Sequence, residues 1–167
     1  MRSYTLTHVS DAVLVRNLAR LVARDRATTA TLLAHIAEVD ERKLYRPAGY
    51  PSMYAYCVEK LRLSEDAAYK RIQAARAGRR FPEVFTALAQ GKLHLAAICL
   101  LAPHLTPESA RGLIEVATHK GKSEIEELLA RRFLALQPPV AGRVLFEHVG
   151  DLTAASGPEP QLAPGQV

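Results

Sequence analysis

Between Ser10 and Gln137 the apolar residues recur every third or fourth position, and Pro and Gly cut the pattern into helix-length pieces. That spacing fits a helix of 3.6 residues per turn, whereas a strand alternates every second residue. No alternating apolar run argues for a sheet in residues 1–137, so the expected fold is all-α, a bundle of about seven helices. Ser10 is placed to cap a long first helix from Asp11 to about Lys43, with Leu14, Leu18, Leu21, Thr28, Leu32, Ile36 and Val39 on one stripe. Asp25 and the Thr28-Thr29 pair interrupt that stripe and predict a kink near Asp25. "RPAGYP" stops the helix. Ser52 to Lys60 reads as a short second helix. Ser64 caps a third, with Glu65 and Asp66 in the first turn and Gly78 suited to a left-handed C-terminal residue. Pro82 opens a fourth, running to Gln90 and closed by Gly91. "KLHLAAICLLAP" makes a buried fifth, ended before Pro103. Thr106-Pro107 opens a sixth, to about Lys120. Ser123 and Glu126 form a capping box for a seventh, to about Gln137.

The composition changes after Gln137. Residues 138–167 are rich in Pro, Gly, Ala and Ser and predict a mostly disordered tail, apart from "RVLFEHV", which has the length of a short strand but no partner. The organisation expected is therefore a helical domain, 1–137, and a tail, 138–167. The net charge is +5, and the tail holds one Arg against three acids, which leaves +7 on residues 1–137. A basic body suits a polyanionic partner. Apolar residues make up 49% of the chain without any Trp, so a core rests mainly on Leu, Ala, Val and Ile. Cys57 and Cys99 sit in apolar runs and read as buried thiols in a reducing compartment. No signal-peptide core and no apolar span of membrane length occur, so the expectation is a soluble cytoplasmic protein without a membrane partner.

The stretch "LRLSEDAAYKRIQAARAGRRFP" holds six Lys/Arg against two acids. Winding Glu65 to Arg80 at about 100° per residue puts Ala68, Ile72 and Ala75 on an inner face. Asp66, Tyr69, Lys70, Gln73, Arg76 and Arg80 fall on the opposite arc. Guanidinium, amine, amide and phenol groups are the donors that contact phosphates and base edges. "SMYAYCVEKL" and "RLS" precede this helix as a helix and a tight turn, completing the parts of a helix-turn-helix. The competing reading is a solvated basic face on a helical scaffold. Under the first reading, Lys70, Gln73, Arg76 and Arg80 face DNA, expected to be duplex, with Tyr69 on the same arc. Lys60, Arg62, Arg71 and Arg79 then add phosphate attraction. Arg62 stands where such turns commonly carry glycine.

With those residues in view, the chain from Gly49 to Phe133 resembles the helical N-terminal region of a group of bacterial HNH-endonuclease-like proteins. The elements that carry the likeness are "GYPSMYAYC", "LSEDAAYKRIQAAR", "RRFP", "GKLHL", "LAPHLT" and "KSEIEELLARRF", in that order. With the first helix, the likeness covers roughly residues 10–135. A fainter likeness, in the rhythm of residues after the third helix, is to the helix-turn-helix of ParB-like chromosome-partitioning proteins. The resemblance implies a helical region that positions a nuclease on DNA. The nuclease's own His/Asn/His metal motif and cysteine pairs have no counterpart, since the chain lacks a CxxC and His148 is the only histidine after Lys120. The accessory region alone, without catalysis of its own, is what the resemblance leads one to expect.

No other chemistry emerges from the spacing. His35, His94, His104 and His119 lack the close pair that a metal site needs, so neither a metal nor another cofactor is expected. His94 reads as a border of the fifth helix and His104 as a hydrogen-bonding loop residue. Glu124, Glu126 and Glu127 fit the first turn of a helix. Tyr45, Tyr50, Tyr54 and Tyr56 read as packing between the first helix and the helix-turn-helix. No catalytic residues are assigned. The alternative function is a protein-interaction scaffold, a homodimer formed through the apolar stripe of the first helix.

Overall fold

The computed structural model describes residues 4–134, and the expected tail lies outside them. The described residues form seven helices and no strand: α1 Asp11–Glu41, α2 Met53–Ala55 continued by a wider turn Tyr56–Lys60, α3 Glu65–Arg80, α4 Glu83–Ala89, α5 Leu95–Leu101 followed by a 3-10 turn Ala102–His104, α6 Ala110–Val116, and α7 Lys122–Leu134. The all-α bundle is therefore as the periodicity implies. Among the described residues no helix is long and apolar enough to cross a membrane.

α1 runs unbroken through Asp25, against the expected kink. Its C-terminal half packs on α3 and α4 through Ala30, Leu33, Ile36 and Ala37. Each fully buried Leu or Ile of this kind stabilises the fold by about 1.5–3 kcal/mol. Of the apolar stripe read from the sequence, only the C-terminal end, Ile36 and Val39, joins this face. Leu14, Leu18 and Leu21 are 39%, 61% and 62% exposed, because the N-terminal half of α1 extends past the body it would have to cover.

The helix starts follow the local chemistry more closely. Ser52 Oγ accepts the Ala55 N–H at 3.0 Å, and Ser64 Oγ accepts the Ala67 N–H at 3.3 Å. α2 leaves its last turn through an i→i+5 bond, Leu61 N–H to Tyr56 O at 3.1 Å. Arg62 then takes φ +57°, the left-handed conformation that glycine adopts at least cost. Gly91 closes α4 at φ +72°, with the Gly91 N–H on Leu88 O and the Lys92 N–H on Ala87 O. His94 Nδ1 caps α5 by accepting the Ala97 N–H at 3.1 Å.

Two expected boundaries move. Thr106 Oγ1 accepts the Ser109 N–H at 3.1 Å, but α6 proper begins at Ala110 and ends at Val116. α7 is capped by Glu124, whose Oε2 accepts the Gly121 N–H at 2.7 Å, two residues before the expected Ser123–Glu126 box. Gly78 is also not a C-terminal residue. It is buried inside α3, which continues to Arg80, and it meets the ring of Phe85 from α4.

α3 is the central helix, touching α1, α2, α4 and α5. Its buried residues are Ala68, Ile72, Ala74, Ala75, Ala77 and Gly78, so all but one are small and the neighbouring helices approach closely. Tyr45 is buried, and Tyr50 and Tyr56 meet edge to face at 5.3 Å, which completes the packing between α1 and the α2–α3 unit. Tyr54 faces solvent instead.

Candidate nucleic-acid interface

Small residues on the inner side of α3 fix which side faces outward. Tyr69, Gln73, Arg76 and Arg80 succeed one another at steps of four, three and four residues, forming one row about 16 Å long at 1.5 Å per residue. Tyr69, Arg76 and Arg80 are exposed, and Lys70 and Gln73 are half-exposed beside them. Next to the row, Gln73, Arg76 and Arg80 border a depression of about 280 Å³ whose apolar wall is Ala77, Phe81, Ala102 and Pro103. The Arg80 guanidinium lies 5.4 Å from the centre of the Phe81 ring, a cation–π distance.

Most of these groups already have partners within the chain. Lys70 Nζ sits 2.7 Å from Asp66 Oδ2, and Gln73 Nε2 donates to Tyr69 Oη at 2.7 Å. Arg76 Nε donates to Asp40 Oδ2 at 2.7 Å, and this bond to the C-terminal turn of α1 raises the Arg76 pKa. Arg79 bridges Glu38 at 2.7 Å and Glu41 at 3.3 Å. Sequence reasoning missed these acids, because they lie 36 and 41 residues away along the chain. Pairs as exposed as those of Lys70 and Arg79 hold only about 0–1 kcal/mol each, so a stronger anion is able to displace them, whereas the Asp40 side chain that holds Arg76 is only 15% exposed.

The remaining predicted residues scatter. Arg62 is exposed in the α2–α3 turn and Lys60 just before it. Arg71 lies about 160° around α3 from Gln73, on the other side of the helix. There its Nη1 donates to Ala67 O at 3.4 Å, while its Nε is buried with no hydrogen-bond partner. Arg71 thus does not join the row.

Cys57 is buried, and burial, more than the nearby Asp40, pushes its thiol pKa up. Cys99 is half-buried and donates to Lys70 O at 3.4 Å. Among the described residues no three His, Cys, Asp or Glu side chains converge as a metal site would require, and His148 lies outside those residues. No family model, curated protein or solved structure matches this chain.

Proposed function

We propose that this chain is a DNA-binding helical module that presents the outward side of α3 to duplex DNA. The observation that carries this reading is the row Tyr69, Gln73, Arg76 and Arg80 on a rigid helix, behind α2 and a turn held left-handed at Arg62. Helix, turn and donor-bearing helix are the arrangement by which proteins lay a helix in the major groove, and the body of the chain is basic. The resemblance to the DNA-positioning region of HNH-endonuclease-like proteins supports the same role. Electrophoretic retardation of random duplex DNA, titrated with salt in the presence and absence of magnesium, tests it. Retardation without cleavage is expected, with affinity falling steeply as salt rises. Replacing Arg76 and Arg80 by Ala should lower affinity and make the log–log salt slope shallower by about 2. An unchanged affinity in the double variant would rule out this face.

A second reading, self-association, is favoured by the exposed Leu14, Leu18 and Leu21 on the free half of α1. Their four- and three-residue steps are those of a coiled-coil seam. Light scattering of the full chain and of Leu18→Lys/Leu21→Lys separates the two: a dimer that the substitutions reduce to monomer supports association, and a monomer throughout excludes it.

A further inference from the structure

On the side of α3 away from the proposed DNA face, a cavity of about 580 Å³ opens between α1, α3 and the loops before α5 and α7. Its charged lining is lopsided: Arg26, Arg71, Lys92 and Lys120 against the single acid Asp25. Among the described residues none of these four cations has a carboxylate within ion-pair distance, whereas Arg76 and Arg79 on the DNA side are both paired. Four like charges gathered around one space repel one another, and the Nε of Arg71 adds a buried donor that nothing in the protein satisfies.

The backbone accommodates this gathering. Gly91 takes φ +72°, and a Cβ there would lie 2.8 Å from Arg26 Cζ, so the glycine leaves room for the guanidinium to approach the loop. His119, left-handed at φ +60°, donates its N–H to Lys92 O at 2.8 Å and ties the two loops together at the rim. His94, whose Nδ1 accepts a backbone N–H, carries its neutral-state proton on Nε2 and adds a donor to the same wall.

We infer that this cavity binds a phosphorylated small molecule through a diphosphate group, as in inorganic pyrophosphate or a nucleoside diphosphate. The excess of three positive charges matches such a group better than a single carboxylate, and guanidinium and ammonium donors fit phosphate oxygens. The volume falls in the ordinary range for small-ligand pockets and leaves room beyond the phosphates. The site is separate from the DNA face and does not depend on it.

Calorimetric titration of the full chain at low ionic strength, with pyrophosphate, ADP and adenosine as probes, tests the assignment. Saturable one-to-one binding of pyrophosphate and ADP is expected, with none of adenosine. ADP binding more tightly than pyrophosphate identifies a nucleotide site, and equal affinity a site for the diphosphate alone. Arg71→Met and Lys92→Ala/Lys120→Ala should each weaken binding by about tenfold or more, as loss of a charge-assisted hydrogen bond does. Arg71→Met should also unfold at the same or a higher temperature, since it removes an unpartnered buried donor, so lost binding will not reflect misfolding. Absence of saturable binding, or affinity that survives both variants and falls instead in Arg76→Ala/Arg80→Ala, overturns the inference.

Discussion

The ring of Phe85 occupies the space that a Cβ on residue 78 would need. An added methyl would stand 2.8 Å from Phe85 Cδ1 and nearer still to Cε1 and Cζ. Glycine inside a helix ordinarily costs about 1 kcal/mol against alanine, so Gly78→Ala in an unconstrained helix would stabilise. Here the overpacking cost of about 1–3 kcal/mol opposes that gain. Chemical denaturation should show Gly78→Ala less stable than the parent, and Gly78→Ala/Phe85→Leu should recover most of the loss.

If the outward side of α3 meets DNA as proposed, Asp40 competes with the phosphates for Arg76. Asp40→Asn removes a unit charge beside the outward row, worth about 1 kcal/mol at a screening close to that of water, so duplex affinity should rise roughly fivefold. The loss of the ion pair should lower stability by about 1–3 kcal/mol, because the Asp40 side chain is only 15% exposed. A fluorescence-anisotropy titration at fixed salt, paired with thermal unfolding, reads both. Unchanged affinity would mean that Arg76 is not part of the contact.

Arg62 tests strain and charge at one position. Relief of a left-handed side chain gains roughly 1–2 kcal/mol, and the added freedom of glycine in the unfolded chain takes back about half of that. Arg62→Gly should therefore be slightly more stable than the parent while binding DNA more weakly, because one cation is gone. Arg62→Ala keeps the strain, so it should bind DNA as weakly as Arg62→Gly without the gain in stability.

Acid should loosen the α1–α3 contact through Glu38. Arg42 first, and Arg79 next, hold its carboxyl below its ordinary 4.5 in the folded chain. A carboxyl lowered on folding stabilises the fold above its ordinary pKa, and that stabilisation is lost as pH falls from about 4.5 through the lowered value. Thermal unfolding followed from neutral pH into acid should show Glu38→Gln less stable than the parent at neutral pH, with a smaller further decline in acid. Parallel curves would show that these pairs contribute nothing.

Much of the local chemistry was readable in the sequence, although Ser10 makes no side-chain cap bond and the cap of α7 falls two residues before Ser123. Ser52, Ser64 and Gly91 cap helices because their partners lie within four residues, and the inner face Ala68, Ile72, Ala75 follows from helical period alone. What depends on which helix lies next to which was not readable. Gly78 looked like a terminator because glycine usually ends helices, yet its role is set by a ring arriving from α4. The stripe of α1 could be drawn from periodicity, but periodicity does not say what covers a face, and only the packing buries Ile36 while leaving Leu14, Leu18 and Leu21 exposed. Likewise Arg71, one residue from Lys70, belongs to the opposite side of the molecule, and only the packing of the loops before α5 and α7 gathers Lys92 and Lys120 around it.

The alanine-lined seating of α3 also governs its aim. Long interior side chains can swing between rotamers and let a helix roll, but buried methyl groups have no rotamers to exchange and leave little such play. The helix is therefore keyed like a splined shaft, and whatever meets Tyr69 at one end fixes the azimuth of Arg80 at the other. A bulky replacement at Ala74, buried away from that edge, should swing the entire outer edge together and misdirect several contacts at once.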